Sequence, residues 1–226
     1  MTLWSDFLSN RGRPIEKWTH YFPIYERHFR RYVDRPVRLL EIGCGDGGSL
    51  VMWKRYLGAY AHVVGIDTRP ECAQFAEHQI DIRIGRQGDA AFLAAVLAEF
   101  GPIDIVIDDG SHIMRDIADS FRVLYPRLDR NGVYMVEDLH TAYMPPFGGG
   151  RGRPDSFIEQ SKLLIDELNA DLTNGAVPTT DFTQSTLSIH YYNSIVVFER
   201  GAHMPRLGLK SGPNPSSYNR VVLRGG

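Results

Sequence analysis

The sequence predicts an α/β fold: a doubly wound sheet of seven strands, mostly parallel, with a C-terminal antiparallel hairpin. Three observations carry this. Short, almost wholly apolar runs alternate with segments of helical period, the pattern of a parallel sheet covered on both faces. The first run ends in a glycine-rich turn that opens a helix. The last two runs, Thr186 to Tyr191 and Ile195 to Arg200, are joined by Tyr192-Asn193-Ser194, which reads as a hairpin.

The elements follow in order. From Lys17 to Tyr32, aromatic residues recur every three or four positions, as on an amphipathic helix, and Pro23 should break it or start it afresh. Val37–Ile42 is a buried strand, Gly48–Leu57 a helix, and Ala61–Ile66 a second strand ending at Asp67. Ile80–Ile84 is a weak third strand. Asp89–Phe100 is an alanine-rich helix with Asp89 as its N-cap. Ile103–Ile107, a helix over Ile113–Leu124 and Gly132–Val136 follow. A glycine- and proline-rich loop, 141–154, has the length of a lid or binding loop. A helix then spans Ser156–Asn169. The residues from 207 to 226 are rich in Gly, Pro, Ser and Asn and read as a loose tail. One domain, 1–226, accounts for the whole, with 1–35 as an N-terminal helical cap.

Composition excludes several classes. Of 226 residues, 43% are hydrophobic and 23% charged, and the net charge is -2, so neither nucleic acid nor an anionic membrane is the expected partner. No apolar run approaches the roughly 18 residues of a membrane span. The first residues lack the basic-then-apolar pattern of a signal peptide. The two cysteines, Cys44 and Cys72, show neither zinc nor disulfide spacing. A cytoplasmic protein is expected.

Glu41-Ile42-Gly43-Cys44-Gly45-Asp46-Gly47-Gly48 follows the first strand and opens a helix. In this Rossmann-like setting, glycines allow a ligand close to the backbone, and the helix N-terminus offers free N–H groups and partial positive charge. Asp67, ending the second strand, is placed to accept both ribose hydroxyls. Gly43, Gly45 and Gly48 also satisfy the dinucleotide fingerprint, so the loop by itself leaves an NAD-dependent oxidoreductase open. Glu41 before the first glycine and the absence of a second mononucleotide-binding half favour S-adenosylmethionine. Candidate cofactor-binding residues are Glu41, Gly43, Gly45, Asp67, Thr68, Gln87, Asp89 and Asp108, with Asp89 able to approach an adenine amino group as well as cap its helix.

Asp108-Asp109-Gly110-Ser111-His112 ends the fourth strand, and Glu137-Asp138 ends the fifth. Ligands bind at the carboxyl ends of such strands, so these acids converge beside the cofactor. Clustered carboxylates repel, and Mg²⁺ on Asp109, Glu137 and Asp138 would relieve that. His112 is the candidate general base for a substrate hydroxyl, whose pKa a bound metal would lower. Strand alternation turns Asp108 away from Asp109.

These segments resemble the macrolide-type sugar O-methyltransferases, which act on deoxysugars of natural products. The specific likeness lies in Asp108-Asp109-Gly110-Ser111-His112 and Glu137-Asp138-Leu139 and extends over roughly residues 15 to 200. It implies Mg²⁺-dependent methyl transfer from S-adenosylmethionine to a sugar hydroxyl, with Asp109, Glu137 and Asp138 as metal ligands and His112 as base. The implied partner is a glycosylated small molecule, and a homo-oligomer is compatible with it. Members of this family can carry an added N-terminal domain, whereas this chain has only the catalytic length. A non-catalytic protein that binds S-adenosylmethionine is the remaining alternative. Trp18, His20 and Tyr21 are candidates to cover the cofactor. Tyr143 to Phe147 form an apolar stretch suited to a substrate lid or a subunit contact.

Overall fold

The computed structural model describes residues 2–203. Seven strands form one sheet in the order β3-β2-β1-β4-β5-β7-β6: β1 Val37–Ile42, β2 Ala61–Asp67, β3 Ile80–Ile84, β4 Ile103–Asp108, β5 Leu128–Val136, β6 Thr186–Tyr192 and β7 Ile195–Arg200. β1 to β5 pair in parallel. Only β7 runs against the rest, pairing antiparallel with both β5 and β6. The hairpin therefore inserts its second strand next to β5, and its first strand forms the edge. The tail predicted for 207–226 lies outside the described residues.

Among the described residues seven α-helices accompany the sheet: α1 Leu3–Leu8, α2 Phe22–Phe29, α3 Gly48–Leu57, α4 Ala90–Phe100, α5 Met114–Leu124, α6 Phe157–Leu168 and α7 Asp181–Ser185. The sheet separates two cores. One packs α1, α2 and α3 around Tyr25, Phe29 and Trp53 against Ile105, Ile107 and Met135. The other packs α4, α5 and α6 around Leu93, Phe121 and Phe157 against Val106, Tyr134 and Val136. Alternate residues of one strand thus face different cores, as the pleat requires. Ser156 caps α6, and Asp89 caps α4 by accepting from the Ala91 and Phe92 amides, a contribution of about 1 kcal/mol each.

The aromatic segment is interrupted near Pro23, as its sequence predicts. A 3-10 turn at Thr19–Tyr21 leads into α2, and a second 3-10 turn follows at Arg30–Tyr32. Pro23 sits in the first turn of α2, where its missing amide hydrogen costs nothing. The loop 141–154 also has internal structure. It contains short 3-10 turns at Leu139–Tyr143 and Pro145–Phe147, closed by Gly150 N–H donating to the Ala142 carbonyl at 2.8 Å.

α2 is tied to the hairpin by His28. Its Nδ1 lies 2.7 Å from Glu199 Oε1 and its Nε2 lies 2.9 Å from the Tyr192 hydroxyl. The bond from His28, opposed by burial and aided by Arg31, holds the Glu199 carboxyl down at about 2. A carboxyl held below its unfolded value stabilises the fold above that value and loses the contribution as pH falls through the folded one. Glu199→Gln should therefore lower the unfolding free energy by about 1 kcal/mol at neutral pH, allowing for solvent screening. In guanidinium titrations this deficit should close between pH 4.5 and about 2. A deficit independent of pH would show the pairing to be electrostatically silent.

Candidate active site

Sheet order puts β1, β4 and β5 side by side, and their carboxyl ends carry acids. The ladder continues one residue beyond the strands: Asp109 N–H donates to the Ile42 carbonyl at 3.0 Å, and Glu137 N–H to the Asp108 carbonyl at 2.9 Å. Glu41, Asp109 and Glu137 consequently share one face of the sheet, and Asp108 lies on the other.

On the first face the cation that meets these acids is Lys17. Its Nζ donates to Asp109 Oδ2 at 2.5 Å and Glu137 Oε2 at 2.9 Å, and lies 3.5 Å from Glu41 Oε1. The Lys17 side chain is 3% exposed. Burial works against its charge, but Asp109, Glu137 and Glu41 outweigh burial and hold the ammonium well above its usual pKa. Burial likewise pushes the Glu137 and Glu41 carboxyls up, with Lys17 opposing it at both. The Tyr25 hydroxyl donates to Glu137 Oε1 at 2.8 Å, so each Glu137 oxygen accepts a hydrogen bond. Glu41 accepts from Ser49 Oγ at 2.6 Å and Trp53 Nε1 at 3.2 Å.

Of the predicted metal ligands, the structure brings Asp109 and Asp138 together around His112. His112 Nε2 lies 4.0 Å from Asp109 Oδ1 and 3.8 Å from Asp138 Oδ2, and one ligand atom of each residue lies within 4.8 Å of the others. Glu137 is adjacent but engaged by Lys17 and Tyr25. Asp138 Oδ1 accepts from the Tyr21 hydroxyl at 2.6 Å. His112 and Asp138 both have φ +55°, a left-handed backbone that non-glycine residues adopt at a cost of about 1–3 kcal/mol. Two such residues side by side show a geometry imposed by the surrounding fold. The donor set fits a hard divalent cation: two partly exposed carboxylates, a third within reach and no thiolate.

Two cavities flank the glycine loop. One of about 280 Å³ is bounded by Gly43, Asp67, Thr68, Arg86, Gln87, Ser111, Ile113 and Asp116. The other, about 260 Å³, is bounded by Gly43, Gly45, Ser49, Lys17, Arg69 and Asp109. Gly43 borders both, and a Cβ there would stand 2.2 Å from the Asp109 carbonyl oxygen, so only glycine lets β1 and β4 approach this closely. Asp67 accepts from the Gly45 amide and the Arg69 amide, both at 3.0 Å, and so shapes the loop as well as facing the cavity.

Three predicted cofactor residues sit elsewhere than on the walls of these two cavities. Glu41 is enclosed by Lys17, Ser49 and Trp53 because its strand position faces the α3 core. Asp89 caps α4, since both amides above it need an acceptor, and the adjoining wall is made by Arg86 and Asp116 instead. Asp108 is 1% exposed and turned into the second core. There it accepts from Gln87 Nε2 (2.9 Å), Ser120 Oγ (2.6 Å) and Tyr134 OH (3.1 Å), while burial lifts its carboxyl to about 6. Gln87 in turn accepts from the Ser111 amide at 2.6 Å. Asp108 therefore reaches the cavity only through Gln87. Sequence reading passed over Lys17, Tyr25 and Asp116. Lys17 is one of only four lysines in the chain and stands amid aromatic residues, the one signal that could have marked it.

A glycine turn and a row of acids at the carboxyl ends of a mostly parallel sheet define a Rossmann-like domain suited to an adenosine-containing cofactor. Residues 40–139 match the family described as a methyltransferase domain, which takes the glycine loop away from the dinucleotide reading. The chain resembles the sugar O-methyltransferases of macrolide and tetracenomycin pathways. It is 37% identical over 196 residues to the 8-demethyl-8-(2-methoxy-alpha-L-rhamnosyl)-tetracenomycin-C 3'-O-methyltransferase of Streptomyces olivaceus, covering 81% of this chain and 50% of that protein. It is 36% identical over 202 residues to demethylmacrocin O-methyltransferase of Streptomyces fradiae, covering 83% and 51%. The structure of MycE methyltransferase of the mycinamycin biosynthetic pathway, in complex with Mg and SAH, superposes with a TM-score of 0.78 at 32% identity, covering 88% of this chain and 54% of MycE. A second MycE complex also holds mycinamycin VI, with a TM-score of 0.77 and 32% identity. The chain spans about half the length of these relatives.

Tyr25→Phe should leave Glu137 Oε1 without a donor and cost about 1–3 kcal/mol of stability. A double-mutant cycle with Glu137→Gln, read by urea unfolding, should show coupling of that size. Additive effects would mean that the Tyr25 hydroxyl does not support Glu137.

Proposed function

We propose that this protein transfers a methyl group from S-adenosylmethionine to a hydroxyl of a sugar borne by a small natural product, assisted by Mg²⁺. The observation that carries this is His112 standing between Asp109 and Asp138 beside a cavity that runs over the glycine loop. The same sugar chemistry in the tetracenomycin and macrocin relatives supports it.

Each residue has a task in this reading. Asp67 and Thr68 would hold the ribose, and Gln87, Ile113 and Asp116 would border the adenine, in the first cavity. Asp109 and Asp138, joined by Glu137, would hold the metal. When bound, the cofactor supplies an electrophilic methyl group, and the metal lowers the pKa of an acceptor hydroxyl. His112 takes the hydroxyl proton at Nε2, and its left-handed backbone keeps the imidazole aimed between the two aspartates. Tyr21 fixes Asp138 by hydrogen bonding. A third cavity of about 280 Å³, bounded by Leu139, His140, Tyr143 and Asn193, adjoins Asp138 and would take the acceptor. Trp18 and Tyr143, more than half exposed, offer flat apolar faces for a sugar ring at its rim. In this reading the chain is a single domain, 1–35 is its cap, and 141–154 is the segment that closes over the acceptor.

His112→Ala should lower methyl transfer by 10²–10⁴-fold while the affinity for S-adenosylhomocysteine, measured by calorimetry, stays within threefold. Asp67→Ala should do the reverse, weakening S-adenosylhomocysteine at least tenfold. The assay would use a panel of glycosylated macrolide and tetracenomycin acceptors, with and without EDTA. Full turnover of the His112 variant, or full activity in EDTA, would overturn the corresponding assignment.

A further inference from the structure

Lys17 has no task in the reaction described above, yet it is the most deeply buried cation at the site. Its ammonium lies on two of the three carboxylates proposed to hold the metal, Asp109 and Glu137. The two differ in what they retain. Asp109 keeps Oδ1 turned toward His112, away from the lysine. Glu137 accepts on both oxygens, Oε2 from Lys17 and Oε1 from Tyr25. Glu137 is also 1% exposed, so water cannot replace a lost partner cheaply. A divalent cation on Glu137 would have to use an oxygen that already accepts from one of these donors. The ammonium is the one it would repel, since two cations would otherwise share the same two carboxylates at contact distance. Lys17 reaches the site from the segment before α2, so its release would be felt in the cap.

We infer that Lys17 is a tethered competitor of the divalent cation: it neutralises Glu137 and Asp109 while the metal is absent and withdraws from Glu137 when the metal binds. The inference rests on the metal-assisted reading above. It explains how buried Glu41 and Glu137 and partly exposed Asp109 sit together without an ion, and it makes metal binding an exchange of one cation for another. Removing the ammonium should therefore weaken the metal-free protein and tighten its hold on Mg²⁺. A lysine that merely supported the fold would weaken both forms.

The test is Mg²⁺ calorimetry on the whole protein saturated with S-adenosylhomocysteine, comparing wild type with Lys17→Met, together with melting temperatures in EDTA and in Mg²⁺. The expected result is a Kd for Mg²⁺ at least tenfold tighter in Lys17→Met. Its melting temperature should fall below that of wild type in EDTA and recover in Mg²⁺. Equal or weaker Mg²⁺ affinity in the variant overturns the inference and leaves the metal reading intact. Absence of Mg²⁺ binding in both proteins overturns the metal reading and the competition with it. Binding by the variant alone supports the competition in its strongest form. Should Lys17→Met fail to bind S-adenosylhomocysteine and prove misfolded, the wild type decides. Reductive methylation of Lys17, scaled to half-exposed Lys162 by mass spectrometry, should be slow in EDTA and at least fivefold faster in saturating Mg²⁺. Unchanged labelling of Lys17 would then overturn the inference.

Discussion

Three carboxylates at the ends of three adjacent strands must be neutralised, and much of the site follows from that constraint. Glu41, Asp109 and Glu137 are set in a row by the β1-β4-β5 ladder, and two of them are essentially without solvent. An isolated buried carboxylate is far too costly to keep, so each must find a cation or several donors. The fold supplies both from the N-terminal segment: Lys17 bridges all three, and Tyr25 and Tyr21 donate to Glu137 and Asp138. The segment before β1 is thus a wall of the site as much as a covering of the core.

On the opposite face, the same pleat places Asp108 among Gln87, Ser120 and Tyr134. This group links the end of β4 with β5, α5 and the loop after β3. Through Gln87 it grips the Ser111 amide and so fixes the turn that carries Asp109 and His112. A Cβ on Gly110 would stand 2.1 Å from Gln87 Oε1, so the turn and the glutamine fit only because position 110 has no side chain. Consecutive residues of one Asp-Asp pair therefore serve different ends. Asp109 faces Lys17 and His112, and Asp108 holds the turn beneath them.

Much of this was legible in the chain. The strands β1, β3 and β7 and the helix α3 fall where the apolar runs and the glycine turn predict them, because a doubly covered parallel strand reads as a continuous apolar block. The opposed orientation of Asp108 and Asp109 follows from the two-residue period alone. Short elements escaped: α1 and α7, of six and five residues, carry too few positions for a period to show. In the long aromatic segment the new helix start at Pro23 was legible, whereas the 3-10 turns at its two ends were not. Asp89 illustrates a role the sequence leaves open, since a helix cap and a ligand contact have the same signature.

By itself the sequence determined the sheet, the glycine turn at its centre and the acids at its strand ends, because those features are written in local period and in neighbouring residue types. Only the tertiary structure decided what meets the acids. Lys17 is 92 residues from Asp109 and 120 from Glu137, and no periodicity relates them. Their meeting depends on how the N-terminal segment crosses the strand ends, a long-range choice made by packing Tyr21, Tyr25 and Phe29 against the sheet. The same packing takes both oxygens of Glu137 and leaves Asp109 and Asp138 facing His112, a distinction between three like carboxylates that burial and hydrogen bonding create and the residue types do not.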